Sequence, residues 1–219
     1  MHPTLKRTIF WGVFLIILGL IVWGMIMASA KDAVTTSNGG VTPIVLSHPL
    51  SSDDWTQGSS SAPVTLVEYA DFQCPACAAY SPVISKVLAE ESGKVYFGYR
   101  FFPLPQHANA MSSSEAATAA GLQGKFWEMH DLLYANQSEW ENAADPTSIF
   151  KGYATTLGLD TTKFLADMTS DAVKARITAD RDDSTAMGLD YTPTLFLNGK
   201  RIANPQNYAA FKALIETAH

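Results

Sequence analysis

The sequence predicts an α/β domain, a sheet interrupted by a large helical insertion, carried behind a single N-terminal membrane-spanning helix. Three observations lead there. An uncharged apolar run, IFWGVFLIILGLIVWGMIMASA, occupies Ile9 to Ala30. A strand–helix–strand pattern is centred on CPAC, which holds both cysteines of the chain. After a long stretch of helical periodicity, YTPTLFLNGKRI returns to strand-forming residues around an Asn-Gly turn.

The apolar run spans 22 residues, about what a helix needs to cross the hydrocarbon core of a bilayer. Lys6 and Arg7 precede it, so residues 1–8 are expected in the cytoplasm and everything after Ala30 outside. A cleaved signal peptide is the competing reading, because Ala28-Ser29-Ala30 fits a small-x-small cleavage site. The run is longer than the roughly 7–15 residues of a signal core, which favours an uncleaved anchor. A buried core helix fits less well, since nothing polar in the run supplies an outward face. Beyond Ala30 the chain carries thirteen basic and 21 acidic residues, a formal charge of −8. That balance argues against nucleic acid or anionic lipid as a partner. Residues 31–50, rich in Ser, Thr and Gly, read as a flexible linker to a domain over 51–219.

Within the domain, PVTLVEYADF (Pro63 to Phe72) is apolar and β-branched, hence a buried strand. CPACAAYSPVISKVLAEES then places apolar residues at helical spacing from about Pro75 to Ser92, with a kink expected at Pro82. Gly93-Lys94 ends the helix, and VYFGYRFFPL (Val95 to Leu104) is the next strand. A βαβ unit of this kind has parallel strands. From about 105 to 189, Phe, Trp, Met and Leu recur at three-to-four spacing between Gly, Pro and Asn/Asp breaks, which reads as a helical insertion with a packed face. Tyr191 to Ile202 reads as a β-hairpin turning at Asn198-Gly199, and a helix over Asn207 to Thr217 closes the chain.

Cys74 and Cys77 could be a staple, half of a metal site or a reactive pair. A disulfide across so short a loop stabilises by only about 2 kcal/mol in the chain-entropy account. A zinc site needs more ligands than two cysteines, and His48, His107 and His130 are widely scattered. The reactive pair fits better. At a helix start, the Cys74 sulfur would face free backbone N–H groups and the positive end of the helix, which stabilise a thiolate. Cys77 lies one turn on, placed to resolve a mixed disulfide. Pro75 at the first helical position costs no hydrogen bond. A thiolate pKa near 4 would favour the reduced state by about 4 kcal/mol at pH 7, roughly 90 mV more oxidising.

With these elements in order, the chain resembles the thioredoxin superfamily, and within it the DsbA-like thiol:disulfide oxidoreductases of the membrane-anchored type. The resemblance is carried by APVTLVEYADFQCPAC (Ala62 to Cys77), QGKFWEMHDLLYANQ (Gln123 to Gln137) and Thr192-Pro193. Ala76 departs from the pattern, because close relatives carry His or another polar or aromatic residue between the cysteines. The resemblance implies a thioredoxin fold with an inserted helical domain. It implies a cis proline at Pro193, with the Thr192 backbone touching an extended substrate and its hydroxyl near a sulfur. It also implies that Glu68 is buried beneath the second cysteine and relays its proton. Read alone, Glu68 could equally face solvent from a strand with one wet side. His107 could reach the thiolate or simply begin a helix, His130 is expected to pack in the insertion, and Tyr191, Phe101 and Phe102 are candidates for an apolar rim.

The function expected is disulfide formation in exported proteins, with Cys74 and Cys77 as the redox carrier and no cofactor. The expected partners are reduced or unfolded exported chains and a membrane quinone-linked oxidase. The expected location is a bacterial cell membrane with the domain outside. Two alternatives stay open: a reductase or isomerase of the same fold, and a non-catalytic thioredoxin-like binding or chaperone module.

Overall fold

In the computed structural model, the residues described are Leu20 and 44–218. The expected membrane helix at 9–30, apart from Leu20, and the cytoplasmic stretch at 1–8 lie outside them, as does the linker up to residue 43. Among the described residues no helix is long and apolar enough to cross a membrane.

The apolar run predicted as a buried strand becomes the middle of the sheet. The strand order is β1 (Trp55–Gln57), β3 (Val95–Phe101), β2 (Val64–Ala70), β4 (Thr194–Leu197), β5 (Lys200–Ile202). β2 and β3 pair in parallel across seven residues, Val64 with Val95 through Ala70 with Phe101, as the βαβ pattern requires. β4 runs antiparallel to β2, and the β4–β5 hairpin turns at Asn198 (φ 47°) and Gly199 (φ 76°). Two successive left-handed residues make the tight turn that suits strand twist, and Asn-Gly adopts it at little cost.

Alternation along β2 separates two cores. Val64 and Leu66 point to α1 (Pro75–Glu90) and to the C-terminal helix, packing with Ile84, Val87, Phe211 and Ile215. Val67 and Tyr69 point the other way, against Phe196, Leu189, Ile44, Leu46 and Leu50. Burying each large side chain contributes about 1.5–3 kcal/mol. α1 runs through Pro82 to Glu90 without a break, although Pro82 has no N–H to give the preceding turn.

The insertion contains α2 (Ala110–Gly121), α3 (Phe126–Ala135), the short α4 (Gln137–Trp140), α5 (Thr147–Thr156), α6 (Thr161–Met168) and α7 (Asp171–Ala186). α8 (Tyr208–Thr217) closes the chain, capped by Asn207. The face read from helical spacing is buried: Phe126, Met129, Leu133, Trp140, Phe150 and Phe164 form one core with Tyr99 and Phe101 of β3.

One element was not foreseen and one reading needs correction. Trp55–Gln57 form a strand, β1, which pairs antiparallel with β3. Its Trp55 stacks on Phe126 (4.4 Å) and lies where a Cβ on Gly121 would sit, so it belongs to the core despite its polar neighbours. Residues 44–50, read as linker, lie against the domain. Ile44, Leu46 and Leu50 join the second core, and Leu46 N donates to Gly199 O at 2.8 Å. The Leu50 side chain occupies the space a Cβ on Gly98 would need, so a side chain at 98 would displace it.

Candidate active site

The turn from β2 into α1 sets the site. Asp71 is fully buried, and its carboxylate accepts from Gln73 N (2.8 Å), Leu104 N (2.9 Å) and His107 Nδ1 (2.7 Å). Gln73 accepts from Asn109 N (2.6 Å) and donates to Glu141 O (2.8 Å), and Gln137 donates to Phe72 O (2.7 Å). The loop before the cysteines is thereby fastened to the helical insertion. His107 is held by Asp71, so its place is structural in this arrangement. Sequence reasoning missed Asp71, Gln73 and Asn109. The available signal was the pair of polar residues immediately before CPAC, where a strand leads straight into a helix.

Cys74 is the N-cap residue of α1, with Pro75 and Ala76 opening the helix. Cys74 is 7% exposed, while Cys77, one turn on, is fully buried, and both are free thiols. The Thr192–Pro193 bond is cis, and the Cys74 thiol donates to Thr192 O at 3.5 Å. The Thr192 hydroxyl is buried with no other partner and faces the same sulfur. Cys74, Cys77, Thr192 and Pro193 are therefore brought together from two distant stretches of chain.

The environment separates the two thiols. A hydrogen bond from the Cys77 thiol lowers the Cys74 pKa most; burial opposes this, and the Thr192 hydroxyl and the Cys77 and Ala76 N–H groups add to the lowering. The net value falls to about 5. Cys77 is driven well above the ordinary thiol value, chiefly by burial, then by its hydrogen bond to Cys74 and the charge of Glu68. Glu68 is 2% exposed in the middle of β2, and burial together with the Cys74 charge raises it to about 8. It is a buried acid, not a residue on a wet face. The Cys74 value lies above the 4 used in the sequence argument, so the expected gain is smaller. The neutral Ala76 contributes only its backbone N–H.

The apolar rim is not as expected. Phe101 and Phe102 are buried inside the two cores, at 0% and 6% exposure, and do not reach the surface. Aromatics at a strand end turned inward because both sheet faces are covered. Tyr191 is 41% exposed beside the cis bond, with the Arg201 guanidinium 4.8 Å above its ring. His130 is packed in the insertion among aromatic rings. Among the described residues no group of three His, Cys, Asp or Glu side chains could hold a metal ion.

A family model described as Thioredoxin matches residues 51–217. This chain belongs to the thioredoxin family. Two solved structures share the thioredoxin fold with its helical insertion. BdbD from Bacillus subtilis, in its oxidised form, superposes with a TM-score of 0.70 at 23% identity, covering 80% of this chain and 97% of that one. The thiol-disulfide exchange protein alpha-DsbA2 from Wolbachia pipientis superposes with a TM-score of 0.65 at 16% identity, covering 75% and 86%. At these identities the likeness is one of fold. Among curated proteins, the Na(+)/H(+) antiporter NhaA 3 of Salinispora tropica is 38% identical over 194 residues, which cover 88% of this chain and 29% of that protein. The chain thus spans less than a third of the length of the curated relatives it matches.

Proposed function

We propose that this thioredoxin-family chain is a thiol:disulfide oxidoreductase of the DsbA kind, which passes a Cys74–Cys77 disulfide to reduced proteins outside the cytoplasm. The observation that carries the reading is the opposed state of the two thiols, Cys74 near 5 and Cys77 well above its ordinary value, beside Thr192-Pro193. A substrate thiolate attacks Cys74 Sγ of the disulfide and the S–S bond breaks. Cys77 leaves as a thiolate and takes the proton of the neutral Glu68 carboxyl. A second substrate thiol, losing its proton, attacks the substrate sulfur, and Cys74 leaves as the stabilised thiolate. Two electrons then rest on the cysteine pair, to be passed to a membrane quinone-linked oxidase. The Thr192 backbone beside Cys74 would receive an extended substrate. The uncharged run at Ile9–Ala30 supports placement at a bacterial cell membrane with the domain outside.

At pH 7 a pKa of about 5 favours the reduced state by up to about 3 kcal/mol, roughly 60 mV, before solvent screening of this partly open site. The test is the reduction potential of the pair together with a Cys74→Ser variant. A potential well above the roughly −270 mV of thioredoxin is expected, with all turnover lost in the variant. A value near that of thioredoxin would sink the oxidase reading and point to a reductant. A fully active Cys74→Ser protein would leave only a binding module.

A further inference from the structure

Successive carbonyls of the loop that carries Pro193 each take a side-chain donor. Tyr191 O accepts from Thr194 Oγ1 at 2.7 Å, Thr192 O from the Cys74 thiol at 3.5 Å, and Pro193 O from Asn204 Nδ2 at 2.7 Å. The Thr194 hydroxyl belongs to the strand that the loop runs into, so it fixes only the local turn. Asn204 comes from beyond the β4–β5 hairpin, in the connection between β5 and α8.

A further link runs from that connection back to the cysteines. Pro205, buried and adjacent to Asn204, accepts at its carbonyl from Tyr80 Oη at 3.0 Å. Tyr80 lies on α1, the helix that Cys74 caps, and its ring stacks on Phe211 of α8 at 5.9 Å. The path from α1 through Tyr80, Pro205, Asn204 and Pro193 therefore closes on Thr192, whose carbonyl faces the Cys74 thiol. Cys74 and Thr192 stand 118 residues apart along the chain, yet a short strut ties the two sides of the gap between them.

The chemistry of Asn204 shows that the tie is more than packing. Pro193 O can only accept, so the amide is turned with Nδ2 toward it. Its Oδ1 is then buried and, among the described residues, without a partner. A bare buried acceptor costs at least as much as one hydrogen bond returns. Stability therefore does not account for an asparagine at this place, whereas the loop that it holds does.

We propose that Asn204 is a positioning residue for the disulfide exchange, and that with Tyr80 it sets the gap between Cys74 and the Thr192 backbone that receives the substrate. The inference rests on the oxidoreductase reading above and adds to it the residues that keep the two halves of the site in register. An ionised or disulfide-bonded Cys74 has no proton to donate, so Thr192 O is then left to accept an N–H of an extended peptide. That bond and attack at Cys74 Sγ form together only while the loop keeps its distance from α1. Asn204 acts through Pro193 and Thr192.

The test uses the full chain, with steady-state kinetics on a reduced two-cysteine peptide and oxidised glutathione regenerating the Cys74–Cys77 disulfide. Thiolate absorbance across pH and denaturant unfolding are read on the same proteins. Asn204→Leu keeps the volume and removes the bond to Pro193 together with the bare Oδ1. Its unfolding should stay close to that of the wild type, while KM for the peptide rises on the order of 10-fold and kcat changes less. The Cys74 thiolate should titrate higher. That shift should vanish when Thr192→Val is already in place, because Asn204 reaches the sulfur through the Thr192 hydroxyl. Tyr80→Phe keeps the ring against Phe211 and frees Pro205 O, so the same changes are expected at a smaller size. An unchanged KM and thiolate titration in Asn204→Leu overturns the proposal. So does a titration shift as large with Thr192→Val as without it, or a loss of stability with KM unmoved, which marks a packing role. If Asn204→Leu does not fold, Tyr80→Phe decides, and an unchanged KM and titration there overturn the strut. A Cys74→Ser protein that still turns over fails the oxidoreductase reading itself, whatever Asn204→Leu does.

Discussion

Two carboxylates are buried in opposite faces of this sheet, and they are treated in opposite ways. On the face away from the cysteines, Asp54 meets Arg100 Nε at 2.7 Å, and the guanidinium also donates to Tyr69 Oη, His48 O and Pro49 O. Tyr69 in turn donates to Asp183 at 2.5 Å. Burial alone would raise Asp54, but hydrogen bonds from Arg100 and the Ser51 N–H, together with the Arg100 charge, outweigh it and hold the acid below its usual value. On the cysteine face Glu68 has no cation, so burial prevails and the acid stays neutral to about pH 8. The difference separates a charge that builds the fold from one kept ready to move. A paired carboxylate cannot give up its charge cheaply, whereas an unpaired one exchanges a proton near neutrality.

The comparison can be broken first at the structural pair. Asp54→Ala leaves Arg100 buried without its carboxylate and should cost about 3–5 kcal/mol in denaturant unfolding, while the Cys74 thiolate titration stays in place. Next, Glu68→Gln should do the reverse. Folding holds Glu68 neutral to about 8 against a reference of 4.5, so the wild type carries no penalty below the lower value and a growing one as pH rises to the upper. Melting curves of the two proteins should coincide near the lower limit and diverge above it. The variant should gain on the order of 2 kcal/mol at neutral pH. The same variant should slow disulfide transfer on the order of 10²-fold. Stability that moves the wrong way with pH would refute the unpaired acid. The smallest effect is expected at Thr192→Val, which removes one hydroxyl facing Cys74. The Cys74 pKa should rise from about 5 by roughly one unit, read from thiolate absorbance.

Much of this arrangement was legible in the sequence because it is local. The run VTLVEYA, the break at Gly93 and the Asn198-Gly199 turn each carry their own signal, and they gave the parallel pair and the hairpin. CPAC at a helix start signalled the low thiol pKa, since the Cys77 thiol that lowers it most and the Cys77 and Ala76 N–H groups that add to it lie within three residues. What stayed hidden depends on distant partners. SSDDWTQGSS reads as a loop, and three residues of β1 with one tryptophan do not outweigh it until Gly121 makes room for the indole. Arg100 drew no notice in the sequence, because its partners Asp54 and Tyr69 lie far along the chain. His130 was correctly expected to pack, but the cage of Tyr134, Trp127, Tyr99 and Phe72 rings around it exists only once the sheet and the insertion meet. Phe102 was misplaced for a related reason, since segment 44–50 covers a sheet face that its composition leaves open, while Phe101 is buried under the helical insertion.

That covering segment has a mechanical meaning. Leu46 donates to Gly199 O and Arg201 N donates to Ile44 O, so the chain enters the domain clipped to the hairpin turn, at the end of β4 farthest from Pro193. Arg100 grips it again at His48 and Pro49. Tension arriving through residue 44 is therefore borne by an edge hairpin and a guanidinium clasp, and the helix start that carries Cys74 is left unloaded.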